Sequence, residues 1–314
     1  MSVADALPSP PLRLQPTMLA WTRAGAVTRP TTVQIRVQRS YPGRIRAGAP
    51  VPTRSMSREE LLENVTYFTE GLRTPRTQPC TALVLSGVGV ASRADTADAI
   101  DLARAQGVTR ITLHAGVEDL GTLDVGHYAG RVDGLVLPVQ PGADLVASAR
   151  AIAAAAVLGM PVYTNTALTA NALPGLSAAA RLLASARPTA LTFTYPFPIN
   201  GGDATDVPPP PRAVAALREA LQILDAAHLP ATLKGLPACY LGPDAHRVRR
   251  TANRWYVDAD HQRDRALLFF PDVVSFTKDE VCRFCAADGG CDGFFATYLR
   301  RPGFPPLSPL DDRP

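Results

Sequence analysis

Apolar and polar positions alternate along the first two-thirds of the chain in a pattern that keeps switching period. At 32–38, Val33, Ile35 and Val37 alternate with Gln34, Arg36 and Gln38, the two-residue period of a strand with one covered face. Ser57 stands three residues before Glu60, the capping-box spacing, and Leu61, Leu62, Val65 and Phe68 then fall on one side of a helix. A nearly continuous apolar run at 80–86 ends in Gly87-Val88-Gly89. The helix after it carries Ala97, Ile100, Leu102 and Ala103, and Gly107 closes it. The unit then recurs, with strands at 110–114, 134–139, 161–166 and 190–195. Helical stretches or returns separate them at 116–128, 143–158, 173–186 and 211–228.

Six such units in succession predict a parallel sheet covered by its crossover helices. No Gly-x-Gly-x-x-Gly follows the first strand, which points away from a dinucleotide fold. The expected class is α/β, a partial (β/α)6 TIM-like barrel. Reacting groups in such barrels stand at the C-terminal ends of strands. Here those are the loop from Arg39, the 87–90 turn, His114, Gln140, Asn165 with Thr166, and the stretch 196–200. From 231 the pattern changes. A short strand at 231–234 is followed by 253–262 and 266–270, which read as strand, polar turn and strand. Trp255, Phe269 and Phe270 are expected to form the core of a small domain, and 293–300 a short helix. The division is then a loosely docked arm at 1–30, a barrel at 31–235, a small C-terminal subdomain at 236–302 and a Pro-rich tail at 303–314.

The apolar fraction of 46% and charged fraction of 19% suit a globular protein, and a net charge of +4 over 314 residues is too mild to argue for nucleic acid or a membrane surface. No run of eighteen apolar residues suggests a membrane span, and the Pro-rich start lacks the apolar centre of a signal peptide. A cytoplasmic setting follows, where thiols stay reduced.

Sulfur changes the picture. The chain has five cysteines, and Cys282, Cys285 and Cys291 follow one another as C-x2-C-x5-C. Two thiolates two residues apart can grip one metal centre, and the Asp288-Gly289-Gly290 stretch gives the backbone freedom for a third to swing back. Cys239, after Gly235-Leu236-Pro237, is the best fourth ligand, and Cys80 is left over. The plainer alternatives are unligated buried cysteines or a disulfide framework, the latter suited to short secreted chains. Tight clustering of a residue otherwise this rare favours metal. Four thiolates suit a [4Fe–4S] cluster or a structural zinc alike.

The remaining candidates have plainer readings beside the functional ones. Arg36, Arg39, Arg44 and Arg46 suit an acidic peptide or phosphate, or simply a solvated loop. His114 suits a ligand, an acid/base or a hydrogen-bonded structural histidine. Asn165 and Thr166 suit a nucleotide pocket or strand-end packing. Asp258, Asp260 and His261 suit a hard-metal or acid/base set, or a polar turn.

The segment Cys282-x2-Cys285-x5-Cys291-Asp292-Gly293, with Tyr298 and a Pro-rich end behind it, resembles the auxiliary (SPASM/twitch-like) iron–sulfur segment of radical SAM proteins. The strand and turn at 83–90 resemble that superfamily's second strand and its Gly-Gly-Glu-Pro turn. The stretches 110–116 and 162–169 resemble its third and fifth strands. The resemblance implies a partial barrel with an auxiliary [4Fe–4S] cluster on Cys239, Cys282, Cys285 and Cys291. It implies S-adenosylmethionine contacts at Gly87, Gly89, Asn165 and Thr166. The superfamily's catalytic C-x3-C-x2-C loop after the first strand corresponds here to 39–48, which has no cysteine, and the acidic residue of the turn is replaced at Gly89. S-adenosylmethionine binding is therefore in doubt, no catalytic residue is assigned, and enzymatic activity is left open. The implied protein has lost the catalytic cluster and serves as a binding or accessory partner of a peptide substrate or of an active radical SAM enzyme. The alternatives are an active S-adenosylmethionine-binding enzyme with atypical chemistry and a structural zinc-site protein.

Overall fold

In the computed structural model, the residues described are 18–22, 25–28, 30–38, 45–46, 49–50, 54–70, 79–141, 145–197, 206–250, 254–268 and 276–311. The strands β1 (Thr32–Arg36), β2 (Ala82–Ser86), β3 (Arg110–His114), β4 (Gly134–Pro138), β5 (Val162–Ala167), β6 (Ala190–Thr194), β7 (Ala231–Lys234) and β8 (Trp255–Val257) form one eight-stranded sheet. Its order is β7-β6-β5-β4-β3-β2-β1-β8, and every pairing is parallel. The crossovers run through α1 (Arg58–Thr69), α2 (Ala94–Ala105), α3 (Val125–Tyr128), α4 (Leu145–Val157), α5 (Leu176–Ala186) and α6 (Pro210–Ala226). The expected α/β partial barrel is the observed architecture, with two strands beyond the six repeating units.

Alternation along each strand sorts its side chains. Val33, Ile35, Leu83, Leu85, Ile111, Leu113, Leu135 and Leu137 face the helices and are buried. Each contributes roughly 1.5–3 kcal/mol by leaving water. The opposite face carries Gln34, Arg36, Ser86, His114, Asn165, Thr194 and Lys234, mostly half-buried. The two-residue period thus divides a helix-covered shell from a polar lumen.

α1 starts as its capping box predicts. The Ser57 hydroxyl accepts from Glu60 N at 3.1 Å, and the Glu60 carboxylate accepts from Ser57 N at 2.9 Å. Gly107 closes α2 at φ +87°, a conformation that favours glycine.

The stretch after 250 departs from expectation. Trp255–Val257 does not stay in a small domain but pairs in parallel with β1, Trp255 opposite Val33. Trp255 packs on Phe68 of α1, ring centroids 5.8 Å apart. The exposed edge of β1 offered unpaired N–H and C=O groups, and this segment satisfies them. Phe269 and Phe270 lie outside the described residues. Of the expected loose arm, Met18–Thr22 and Gly25–Thr28 form an antiparallel pair, and 1–17 lie outside the described residues. The expected helix at 293–300 is a two-residue strand followed by one turn, α8 (Ala296–Leu299). No helix among the described residues is long and apolar enough to cross a membrane.

Candidate functional site

Gly235 ends β7 at φ +80°, where a Cβ would meet Tyr195 O at 2.8 Å, so the chain turns sharply there. Pro237 then leads into α7 (Ala238–Leu241), which carries Cys239. Cys282 lies in a tight turn, Glu280–Phe284. Cys285 N donates to Cys282 O at 3.1 Å, and Asp288 N donates to Cys285 O at 3.0 Å. These two turns carry the chain back toward Cys291. A short hairpin, β9 (Phe276–Thr277) against β10 (Phe294–Phe295), holds both ends of the loop. Gly293 sits at φ +86°, and a Cβ there would lie 2.1 Å from Thr277 O. Only glycine fits between the last cysteine and the hairpin.

The four thiols Cys239, Cys282, Cys285 and Cys291 line one cavity of about 20 Å³. Backbone N–H groups point at the sulfurs: Gly293 N donates to Cys291 Sγ and Leu310 N to Cys285 Sγ, each at 3.3 Å. Backbone hydrogen bonds from Ser308 and Asp279 favour the thiolates of Cys239 and Cys282. Burial outweighs them and, with the neighbouring thiols, pushes both thiols up. Lys278 lines the same cavity and is tied to Asp288 at 2.7 Å, placing one cation beside four sulfurs.

The tail belongs to this structure. Leu307 is buried, Tyr240 donates to Pro305 O, and Phe304 stacks on Phe294. Phe294, Phe295 and Tyr298 form an aromatic bed that meets Tyr195 and Phe197 just beyond β6, and Tyr298 Oη donates to Pro196 O at 3.0 Å. Such pairs add roughly 0.5–1.5 kcal/mol each beyond their burial, enough to seat the cysteine loop firmly on the sheet.

The donors bear on what this cavity fits. Four soft thiolates with N–H···S bonds are the donor set of an iron–sulfur cluster. A single zinc at roughly 2.3 Å from each sulfur fills the space between them. Here the space left exceeds the ~10–15 Å³ that one water needs. Among the described residues, no three His, Cys, Asp or Glu side chains close on a point that would hold one metal ion. Four thiols around one space are a donor set that either a cluster or a zinc ion can use.

Cys80 is a different kind of thiol. It precedes β2, its N–H donates to Phe68 O at 2.7 Å, and apolar burial pushes its thiol up to about 12. It stands at the N-terminal end of its strand, opposite the barrel mouth. The loop expected to lack a catalytic cluster, 39–48, lies outside the described residues except for Ile45–Arg46.

The other candidates separate. Gly87 at φ +117° would drive a Cβ to 2.6 Å from Gln38 O, so close packing against the end of β1 accounts for it. Gly89 at φ +69° faces open space. Asn165 faces the lumen and accepts from Thr194 Oγ1 at 2.7 Å. Thr166 was expected in the same pocket and is not there: it is 1% exposed and, in register with Phe193, faces the helices. One step of strand alternation separates the two. Asp258 accepts from the backbone of Asp260 and His261 and from the His261 ring at 3.0 Å, forming the polar turn that ends β8. Gln262 and Asn64 lock that turn to α1. His114 faces the lumen, in register with Ser86.

Lys278, the tail backbone at Ser308 and Leu310, and the lumen groups Gln34, Lys234 and Arg254 escaped the sequence reading. Lys278 lies four residues before Cys282, the one signal that would have found it.

No family model and no curated protein sequence matches this chain. Solved structures do. SuiB of Streptococcus suis bound to S-adenosylmethionine superposes with a TM-score of 0.55 at 9% identity, over 88% of this chain and 76% of its own. SuiB bound to its precursor peptide SuiA gives 0.57 at 9% identity, over 88% and 75%. Native anSMEcpe with bound S-adenosylmethionine gives 0.56 at 10% identity, over 85% and 90%. The doubt about S-adenosylmethionine finds no support in these neighbours, which hold it. The chain shares the fold of the radical SAM enzymes.

Proposed function

We infer that this is an iron–sulfur protein of radical SAM fold with one cluster, held by Cys239, Cys282, Cys285 and Cys291, and without a catalytic cluster at the barrel mouth. One observation carries the reading: four of the five thiols line a single cavity beneath the tail, while the fifth is buried at the opposite end of the sheet. No sulfur is left for a second site. The cluster would bring redox and electron-transfer capacity. The chain's own contribution is to hold the four thiolates and direct N–H donors at two of their sulfurs.

The accompanying division is a barrel at 31–235, a metal-binding unit at 236–302 and a tail at 303–314, with 254–268 returning to the barrel and Leu307 and Ser308 of the tail closing the site. Such a protein acts as an accessory in peptide modification, in a reducing cytoplasmic setting. A fold neighbour solved with its precursor peptide supports a peptide partner. Anaerobic reconstitution followed by iron and sulfide counting tests the reading. About four of each per chain is the expected result for one cubane. About eight, or cleavage of S-adenosylmethionine by the dithionite-reduced protein, would overturn it.

A second reading, an S-adenosylmethionine-binding enzyme with atypical chemistry, is favoured by the ligand in two of the neighbours. Calorimetric titration with S-adenosylmethionine separates the two readings.

A further inference from the structure

The segment that carries Cys282, Cys285 and Cys291 also carries a half-buried ammonium. Lys278 directly follows β9 and lines the same cavity as the four thiols. Among the described residues lining that cavity, Lys278 is the one cation and Asp288 the one carboxylate. Lys278 Nζ donates to Asp288 O at 2.6 Å and to Asp288 Oδ1 at 2.7 Å. A Cβ on Gly293 would lie 2.9 Å from Lys278 Cγ, so the bare backbone there leaves room for the lysine stem as well as for Thr277.

The other cation on this loop is placed differently. Arg250 donates to Asp292 Oδ1 at 3.2 Å and to Gly289 O at 3.4 Å, and it does not line the cavity. Arg250 therefore binds the loop from outside, while Lys278 stands at the space the sulfurs enclose.

The two ends of the Lys278–Asp288 pair face different surroundings. The lysine side chain is 16% exposed and the aspartate side chain 46%. Water and salt screen the carboxylate, whereas the ammonium acts on its neighbours through protein, where charges are felt more strongly. A lysine head is strongly hydrated and normally stays in water. Here two hydrogen bonds to Asp288 keep it at the cavity.

Four thiolates around a dication leave two negative charges in excess, and a cluster core that takes up one electron leaves three. Excess charge away from water is costly unless an opposite charge stands beside it. We propose that Lys278 is the resident counter-cation of the four-thiol centre and that Asp288 fixes it in place. Lys278 slows the loss of the metal and, with a cluster bound, raises its reduction potential by favouring the more negative state. The inference rests on the reading that the four thiols hold one metal centre, and it applies to a cluster and to zinc alike.

Full-length protein is reconstituted anaerobically with iron and sulfide or loaded with zinc, then challenged with EDTA while metal loss is followed. Whichever form wild type retains is the one compared. Lys278→Met should lose metal at least tenfold faster than wild type, and Lys278→Arg should stay within about threefold. In the iron form, dithionite titration followed by EPR should put the Lys278→Met potential below that of wild type. A tenfold shift in the one-electron equilibrium reads as about 59 mV. Asp288→Asn separates charge from loop-tying: it should hold metal at least as long as wild type and shift the potential upward. Near-UV circular dichroism confirms that each variant is folded, and Lys278→Gln replaces the methionine variant, with the same expectation, should that not fold. Wild-type protein that retains neither metal, or Cys291→Ser that keeps metal as wild type does, would overturn the thiol centre and the counter-cation with it. Cys291→Ser losing metal while the methionine or glutamine variant keeps it like wild type would overturn the counter-cation alone. So would Asp288→Asn losing metal as fast as Lys278→Met, since a lysine that only ties the loop predicts that result.

Discussion

The tail cavity and the sheet lumen are built from opposite chemistry. At the tail, four thiols, two backbone N–H donors to sulfur and Lys278 surround a small space closed by Leu307 and Ser308 of the tail. In the lumen, Arg36, Ser86 and His114 stand in one register row, and Arg254 donates to Gln34 beside them. Thiolates crowded together repel one another until something positive sits between them. The aromatic bed of Phe294, Phe295 and Tyr298 packs on Tyr195 and Phe197 just beyond β6 and so ties the tail to the sheet. A fold shared with S-adenosylmethionine enzymes therefore does not fix what the lumen binds. The side chains on its inward face do.

The largest expected effect removes one side of this comparison. Cys291→Ser should lower reconstituted iron from about four per chain to under one, whereas Cys80→Ala should leave the iron count unchanged. Equal losses in both would show that the inventory of sulfur has been misread. Next in size, Gly293→Ala should destabilise the protein by about 3 kcal/mol, because φ +86° and a 2.1 Å approach to Thr277 O leave no room for a methyl group. Chemical denaturation measures this, and a cost under about 0.5 kcal/mol would mean that the hairpin does not hold the cysteine loop.

Smaller effects sharpen the lumen side. His114 is held at about 4 in the folded chain against an ordinary 6.5, through burial and then Arg36, Arg254 and Lys234. Between pH 6.5 and about 4 the unfolded chain takes up a proton that the folded chain refuses, so stability falls as pH falls. His114→Gln should flatten that slope in urea midpoints taken across the window; an unchanged slope would remove His114 from the cationic group.

The smallest effect concerns the wall beside β8. Glu60 lies at about 2 against 4.5, held there first by the Ser57 N–H and then by the Gln262 side chain. Its contribution is present above pH 4.5 and lost as pH falls from there toward 2. The midpoint difference between wild type and Glu60→Gln should shrink across that range, and a constant difference would mean that the capping box contributes nothing through its charge.

Much of the sheet was legible in the chain because a two-residue period with apolar outer positions admits few other structures. The capping box at Ser57 and the turn at Gly107 were legible because their chemistry is local. Trp255 was not. A three-residue strand has no period long enough to announce its partner, and the open edge of β1 claimed it from more than two hundred residues away in sequence. Thr166 failed for a related reason. At a strand end one residue decides between lumen and shell, and only register settles which.

By itself, the sequence determined the count of sulfur, the alternation of strands and helices, and the absence of cysteine from the 39–48 loop. These are properties of composition and short-range order. Only the tertiary structure decided that Cys239 joins three thiols more than forty residues away, that the tail donates an N–H to one of them, and that Arg254 reaches Gln34 of β1. Each depends on long-range strand pairing or on the docking of the aromatic bed. Those contacts join residues far apart along the chain, and no local pattern encodes them.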